Sequence, residues 1–469
     1  MTATQGGVDV GTRPAGRRRV LVVTLDTLAT RMAGPAIRAW EISRALAHEH
    51  DVRLVTFGQC SREGVGFTTA RIAVEDFRAE VEGADVVVVQ GFVFNAFGWL
   101  QECPQVLVVD LYDPFQLETL EIDRYKPRPE RDRALAFALG ELRDQVRRGD
   151  FFLCASGRQR DLWLGQLAAA GRVNPDTYDA DPSLRSLLSI VPFGTAGEAP
   201  VQERHAIKGA TAGIGPDDKV LLWGGGVYNW FDPLTLVRAV DRVRAQVPEV
   251  RLYFLGMKHP NPDVPEMAVA MRCRRLADEL GLTGTHVFFN EDWVPYEQRA
   301  DYLLDADIGV SCHFLHVETE FSFRTRILDY LWAGLPIVST EGDSFAQLVT
   351  ERGLGRVVPA EDVDALADAL VELLVDDAAH GAAAQAVRAT APEFSWDAVL
   401  EPLVSFCRDP RRAADSHRLP PLPGGDVPLP PVPLVARLRA DAAAVVRHLR
   451  SGGVGAVVAK VRWRLARRR

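Results

Sequence analysis

Four consecutive valines, Val86 to Val89, sit inside a strand-like run from Ala84 to Gln90, and similar runs surround them. Val20 to Leu25, Val52 to Phe57, Val106 to Asp110, Phe151 to Ala155 and Leu188 to Pro192 have the same character. Strands apolar on both faces must be covered on both faces, which is the condition of a parallel sheet between layers of helix. The stretch from Gly34 to His48 supplies one such layer, with apolar residues at helical spacing. A second series of strands follows: Val220 to Trp223, Arg251 to Leu255, Val287 to Phe289, Ile308 to Ser311, Ile337 to Ser339 and Gly355 to Val358. Two blocks of strand–helix alternation predict an α/β chain of two doubly wound, Rossmann-like domains facing across a cleft.

At 469 residues the chain exceeds the roughly 250–300 at which one core stops growing, in line with that division. The expected parts are a disordered N-terminus (1–18), a first Rossmann-like domain (19–195) and a Gly-, Ala- and Pro-rich linker (196–217). A second Rossmann-like domain (218–393), a closing helix (394–409), a Pro-rich spacer (410–433) and a basic tail (434–469) follow. Arg17-Arg18-Arg19 before Val20 to Val23 imitates a signal peptide, but Thr24 and Asp26 interrupt the short apolar run, so it reads as a first strand. Six scattered cysteines without CxxC or Cys/His spacing argue against a disulfide framework or a zinc site, and for a reducing, cytoplasmic compartment. No apolar run approaches the roughly 18 residues that span a bilayer. The net charge is −9, yet residues 435–469 hold ten Lys/Arg against Asp441 alone and leave the remainder at −18. An acidic body of this kind is a poor nucleic-acid binder. Heavy use of Arg over Lys points to a GC-rich bacterial genome.

The densest chemistry lies between Glu318 and Asp343, ETEFSFRTRILDYLWAGLPIVSTEGD. Glu318 and Glu320 open it, Arg324 and Arg326 flank Thr325, and an apolar helix carries Asp329 before Gly334 stops it. Carboxylates, guanidinium groups and the unpaired N–H groups of a helix start suit a ligand with hydroxyls and phosphates. A second candidate is Trp223-Gly224-Gly225-Gly226 at a strand end, where glycines let phosphates approach backbone N–H groups. Tyr228 and Trp230 add polar-tipped aromatics there, and Asp232-Pro233 opens the next helix. A plain βα turn is the alternative. Neither GxGxxG nor GxxxxGK[ST] occurs, so dinucleotide and ATP-hydrolase readings lose support.

The 318–343 stretch resembles the C-terminal half-site of a GT-B glycosyltransferase, specifically the large retaining family 4. The resemblance covers roughly 20–408 and is specific mainly in 318–343, more weakly in 24–46 and 223–233. It departs from the family's E-x7-E signature: Asp329 stands at the second acid, while eight positions back is Phe321, with Glu320 nine back and Glu318 eleven. By resemblance Asp329 grips the nucleotide ribose, Glu318 or Glu320 orients the sugar, and Gly224, Gly225, Gly226, Arg324, Thr325 and Arg326 meet the donor diphosphate. The usual Arg and Lys after the glycine strand are missing, so Arg324 and Arg326 are the replacements, although positions two apart on a regular helix point about 200° apart. Trp293 or Tyr296 would stack on the base while Val294 reads its edge; core packing is the even alternative for Trp293.

In the first domain Gly34, Pro35 and Arg38 correspond to the family's sugar and acceptor loop, with Arg38 either on phosphate or a surface residue. Relatives place a histidine after the strand ending at Asp110; here Asp110, Tyr112 and Asp113 are the candidates for acceptor activation. Ser156, Gln159 and Arg160 are expected near the same cleft. Asp305-Ala306-Asp307 reads as capping and packing, and neither a metal nor another cofactor is expected. The implied reaction is retaining transfer from a nucleotide-diphosphate sugar to a glycan, lipid-linked or envelope acceptor. A sugar-nucleotide 2-epimerase and a non-catalytic sugar-nucleotide-binding scaffold are the alternatives. Leu434, Leu438, Ala442, Val445 and Leu449 share one helical face among arginines, so the tail either lies on anionic lipid at the inner face of the plasma membrane or stays solvated.

Overall fold

The computed structural model describes residues 16–257 and 266–418. Its first sheet contains β1 (Arg19–Thr24), β2 (Asp51–Thr56), β3 (Thr68–Arg71), β4 (Val86–Gln90), β5 (Val106–Asp110), β6 (Phe151–Cys154) and β7 (Leu188–Ile190). The second contains β8 (Lys219–Trp223), β9 (Val250–Phe254), β10 (Val287–Phe289), β11 (Ile308–Ser311), β12 (Ile337–Thr340) and β13 (Gly355–Val358). Every strand pairing is parallel. The orders are β3-β2-β1-β4-β5-β6-β7 and β10-β9-β8-β11-β12-β13, each reversing direction beside its first strand. That reversal opens a crevice at the carboxyl ends of β1 and β4 in one sheet and of β8 and β11 in the other.

Parallel pairing explains the valine runs: Val86 to Val89 are all buried. The one strand that left no apolar run in the sequence is β3, an edge strand whose residues are exposed or half-buried. Domain borders also differ in detail. Arg17 and Arg18, assigned to the N-terminus, are tied to the sheet: Arg17 Nη2 donates to His50 O (2.8 Å), and Asp51 N donates to Arg18 O (2.9 Å). The 196–217 segment is docked, with Ile207 and Ile214 buried and Asp305 accepting from the backbone N–H groups of Ala206 and Ile207 (both 2.7 Å). Asp307 caps β8 by accepting from Val220 N (2.7 Å), so both acids of the DxD hold backbone.

The helix Trp396–Arg408 returns to the first domain. Thr195 N donates to Phe394 O (2.7 Å), Trp396 N donates to Thr195 O (2.9 Å), and Phe406 stacks on Phe151 at 4.2 Å. Gly194 is required at this crossing, since a Cβ there would lie 2.8 Å from the Trp396 ring. Residues 410–418, expected in the spacer, also pack on the first domain: the buried Asp415 accepts from Arg172 Nε at 2.8 Å, and Arg412 reaches Asp150 at 2.9 Å. The rest of the spacer and the basic tail lie outside the described residues. Among the described residues no helix is long and apolar enough to cross a membrane.

Two residues expected in the cleft instead hold the first domain together. Arg38, on the helix Gly34–Ala47, is fully buried and bidentate to Asp110 at the end of β5, at 2.6 and 2.9 Å. Two further N–H groups donate to Val191 O and Pro192 O at 2.8 and 2.9 Å. The pair is turned into the first domain and neither residue lines the cleft cavity, so neither phosphate binding by Arg38 nor base chemistry by Asp110 fits. Removing one partner strands a buried charge, which typically costs about 3–5 kcal/mol. Arg38→Met is expected to lower unfolding stability by about that amount in urea titrations; an unchanged midpoint would show that the pair is not structural.

Candidate functional site

The cleft between the domains encloses a cavity of about 380 Å³. Its first-domain wall is the loop Met32–Pro35 with Tyr112, Asp113 and Glu118; its second-domain wall is Gly224–Gly226, Trp293–Tyr296 and Ser322–Asp329. The switch point of each sheet thus supplies one wall, as parallel topology requires.

The 318–343 stretch folds as two helices, Val317–Phe321 and Arg326–Ala333, separated by an extended joint beginning at Ser322 (ψ 157°). That joint decides the fate of the two arginines. Arg324, within it, turns back to Glu318 in a bidentate pair at 2.9 and 2.8 Å, and both are buried. Arg326 begins the next helix, its guanidinium carbon 4.3 Å from the ring centroid of Trp223 and 3.9 Å from that of Phe231. Its Nη2 donates to Gly226 O (2.8 Å), while Nη1 is buried without a partner. Arg326 is only 6% exposed, and no carboxylate among the described residues pairs with it. Burial, with the neighbouring Arg324 charge as a lesser cause, pulls its guanidinium down to about 10. A cation held this way lacks its counter-ion.

Glu320 is exposed and Glu318 lies behind Arg324, so neither acid stands on the cavity wall. Glu320 is set aside as a sugar contact; Glu318 holds Arg324 in place. Thr325 lines the cavity at the start of the second helix. Asp329 is on the wall with its side chain 36% exposed, 3.3 Å from Arg299 Nε. Arg299 is itself sandwiched between Tyr296 (3.9 Å) and Trp332 (4.4 Å). One face of Tyr296 is therefore covered, and its hydroxyl donates to Glu41 Oε1 (2.9 Å). Trp293 donates Nε1–H to Met32 O (2.9 Å), and its ring packs on Gly256. Both aromatics join the two domains, leaving Val294 and Asp329 beside the open space.

The glycine turn is partly occupied. Gly224 N donates to the Tyr330 hydroxyl (2.8 Å), whereas Gly225, at φ +74°, and Gly226 face the cavity. On the opposite wall Asp113 Oδ1 is buried with no partner, and Glu118 from the helix Phe115–Ile122 lies against the same carboxyl. Burial raises both carboxyls above the usual range, Asp113 to about 7, and the nearby Glu318 charge pushes the same way. Glu118, Arg299, Phe231 and Tyr330 were not singled out in the sequence. Glu118 alone left a trace there, as an acid in the first turn after Asp113-Pro114. Gln159 was expected near the cleft and bridges it: Nε2 donates to Tyr112 O (2.8 Å) and Phe321 O (2.9 Å). Ser156 caps the helix Gly157–Ala169, and Arg160 reaches Ser183 O, away from the cavity.

Known proteins resemble the chain in sequence over the second domain and in fold over most of its length. Residues 218–376 match the family model described as glycosyl transferases group 1. A D-inositol 3-phosphate glycosyltransferase of Mycolicibacterium paratuberculosis is 28% identical over 218 residues, 46% of this chain and 46% of the relative. A phosphatidyl-myo-inositol mannosyltransferase of Mycobacterium leprae is 34% identical over 87 residues, 18% of this chain and 22% of its own. The chain spans about half or less of the curated relatives it matches. Among solved structures, sucrose-phosphate synthase from Thermosynechococcus elongatus superposes with a TM-score of 0.61 at 17% identity, covering 84% of this chain and 98% of that one. Anabaena HepE in complex with UDP and glucose gives 0.60 at 13%, covering 83% and 99%. Residues 218–376 match the glycosyl transferases group 1 family model, and the described residues take the two-domain GT-B fold.

Proposed function

We propose that this protein is a retaining glycosyltransferase that moves a hexosyl group from a nucleotide-diphosphate sugar to an acceptor held by the first domain. The observation that carries the reading is Arg326, a buried guanidinium on the cavity wall whose Nη1 has no partner. A diphosphate is the counter-ion it lacks. Fixed donors aimed at a leaving group whose charge grows in the transition state usually contribute more to such catalysis than any other device. In this reading Gly225 and Gly226 admit the phosphates, Thr325 and the helix start add donors, and Asp329 takes the ribose hydroxyls. Arg324, braced by Glu318, faces the sugar. The acceptor attacks from the side the diphosphate leaves, and that phosphate accepts the proton. Support comes from the family match over 218–376, and from a fold shared with a protein solved with UDP and glucose. The strongly basic stretch 435–469 is proposed to bring the enzyme to anionic lipid, where a lipid-linked acceptor would be found.

A panel of UDP-, GDP- and dTDP-sugars tests the reading by thermal shift and calorimetry. One nucleotide class is expected to bind. Arg326→Met should lose about 1.5–3 kcal/mol of that affinity, and Asp329→Ala should also weaken it. Binding by none, or affinity unmoved in both variants, would remove the donor site. Donor turnover that depends on an added acceptor separates transfer from epimerisation of the same donor.

A further inference from the structure

Charge in the cavity is divided by domain. Its three guanidinium groups, Arg299, Arg324 and Arg326, all belong to the second domain, and the first two are paired with Asp329 and Glu318. The facing wall presents Asp113 and Glu118. Arg38, the first-domain arginine over the Tyr112 ring, is turned into Asp110 and two carbonyls. An acidic pair alone would say little. Here it shares an enclosed space with the Arg326 guanidinium, more than nine-tenths buried and lacking a partner on Nη1, so the space has an unmet demand for a ligand.

Resting on the donor reading above, we propose that Asp113 and Glu118 form the acceptor seat, and that the acceptor is an unphosphorylated sugar or polyol, preferably one bearing an amino group. Both carboxyls line the cavity, and burial raises both, so the pair takes up a proton more readily than free carboxyls and can offer a donor as well as several acceptors to neighbouring hydroxyls. An ammonium would be drawn to the pair. A phosphate would meet repulsion from the pair and from the donor diphosphate together, inside a cleft where screening is weak. With Arg326 engaged by the donor, no other unpaired cation among the described lining residues remains to receive it. This departs from the relatives named for D-inositol 3-phosphate.

The test uses the full chain saturated with whichever nucleoside diphosphate binds it, titrated with glucosamine, glucose and glucose 6-phosphate. Glucosamine is expected to bind about tenfold more tightly than glucose 6-phosphate, with glucose between them. In Asp113→Asn/Glu118→Gln the spread should collapse to about twofold while nucleotide affinity holds. If that double variant does not fold, Glu118→Gln alone carries the comparison. Glucose 6-phosphate binding as tightly as glucose, no binding by any of the three, or an unchanged order in the variant would overturn the proposal. Failure of every nucleoside diphosphate to bind would instead overturn the donor reading, and this inference with it.

Discussion

The position of the second-domain half-site depends on Tyr330. Its ring is fully buried against Gly309 of β11, where a Cβ would sit 2.3 Å from the ring. Its hydroxyl accepts from Gly224 N and lies 2.8 Å from Val310 O and 3.0 Å from Leu222 O. One side chain thereby fastens the helix Arg326–Ala333 across the ends of β8 and β11. The same helix carries Arg326 and Asp329, so their distance from the glycine turn is set by Tyr330 and not by the loops. A site built on packed helix and strand holds its geometry better than one built on loops alone.

Closure of the cleft rests on polar contacts, most of them from side chains to backbone. Trp293 and Tyr296 reach Met32 O and Glu41, Gln159 bridges Tyr112 O and Phe321 O, and Asn229 Nδ2 donates to Glu121 O and Ile122 O, both at 3.2 Å. The residues on either side of Val294 thus hold the first domain beside its first helix. A ligand seated beside Val294 and Asp329 would therefore lie next to residues that also contact the first domain.

Much of the fold was legible because parallel strands buried on both faces leave unbroken apolar runs; only the exposed edge strand β3 left none. The cleft was legible as a place, since glycine and acid-rich turns follow strand ends. Individual partners were less so. The 200° separation argued for Arg324 and Arg326 assumes one helix, but the chain breaks at Ser322 and gives each arginine a different environment. Arg38 and Asp110 are 72 positions apart, and nothing local in the sequence marks them as a buried pair. Glu118 follows Asp113 by only five positions, but the Glu318 charge that acts on both comes from the other domain, a proximity that only the tertiary fold creates.

The central claim is that Arg326 awaits a diphosphate. The most direct measurement is an experimental structure of the protein with the nucleoside diphosphate selected by binding. The expected result is a phosphate oxygen within hydrogen-bond distance of Arg326 Nη1, with the ribose toward Asp329. A nucleotide bound elsewhere, or a diphosphate in the cleft that leaves Nη1 without a partner, would contradict it.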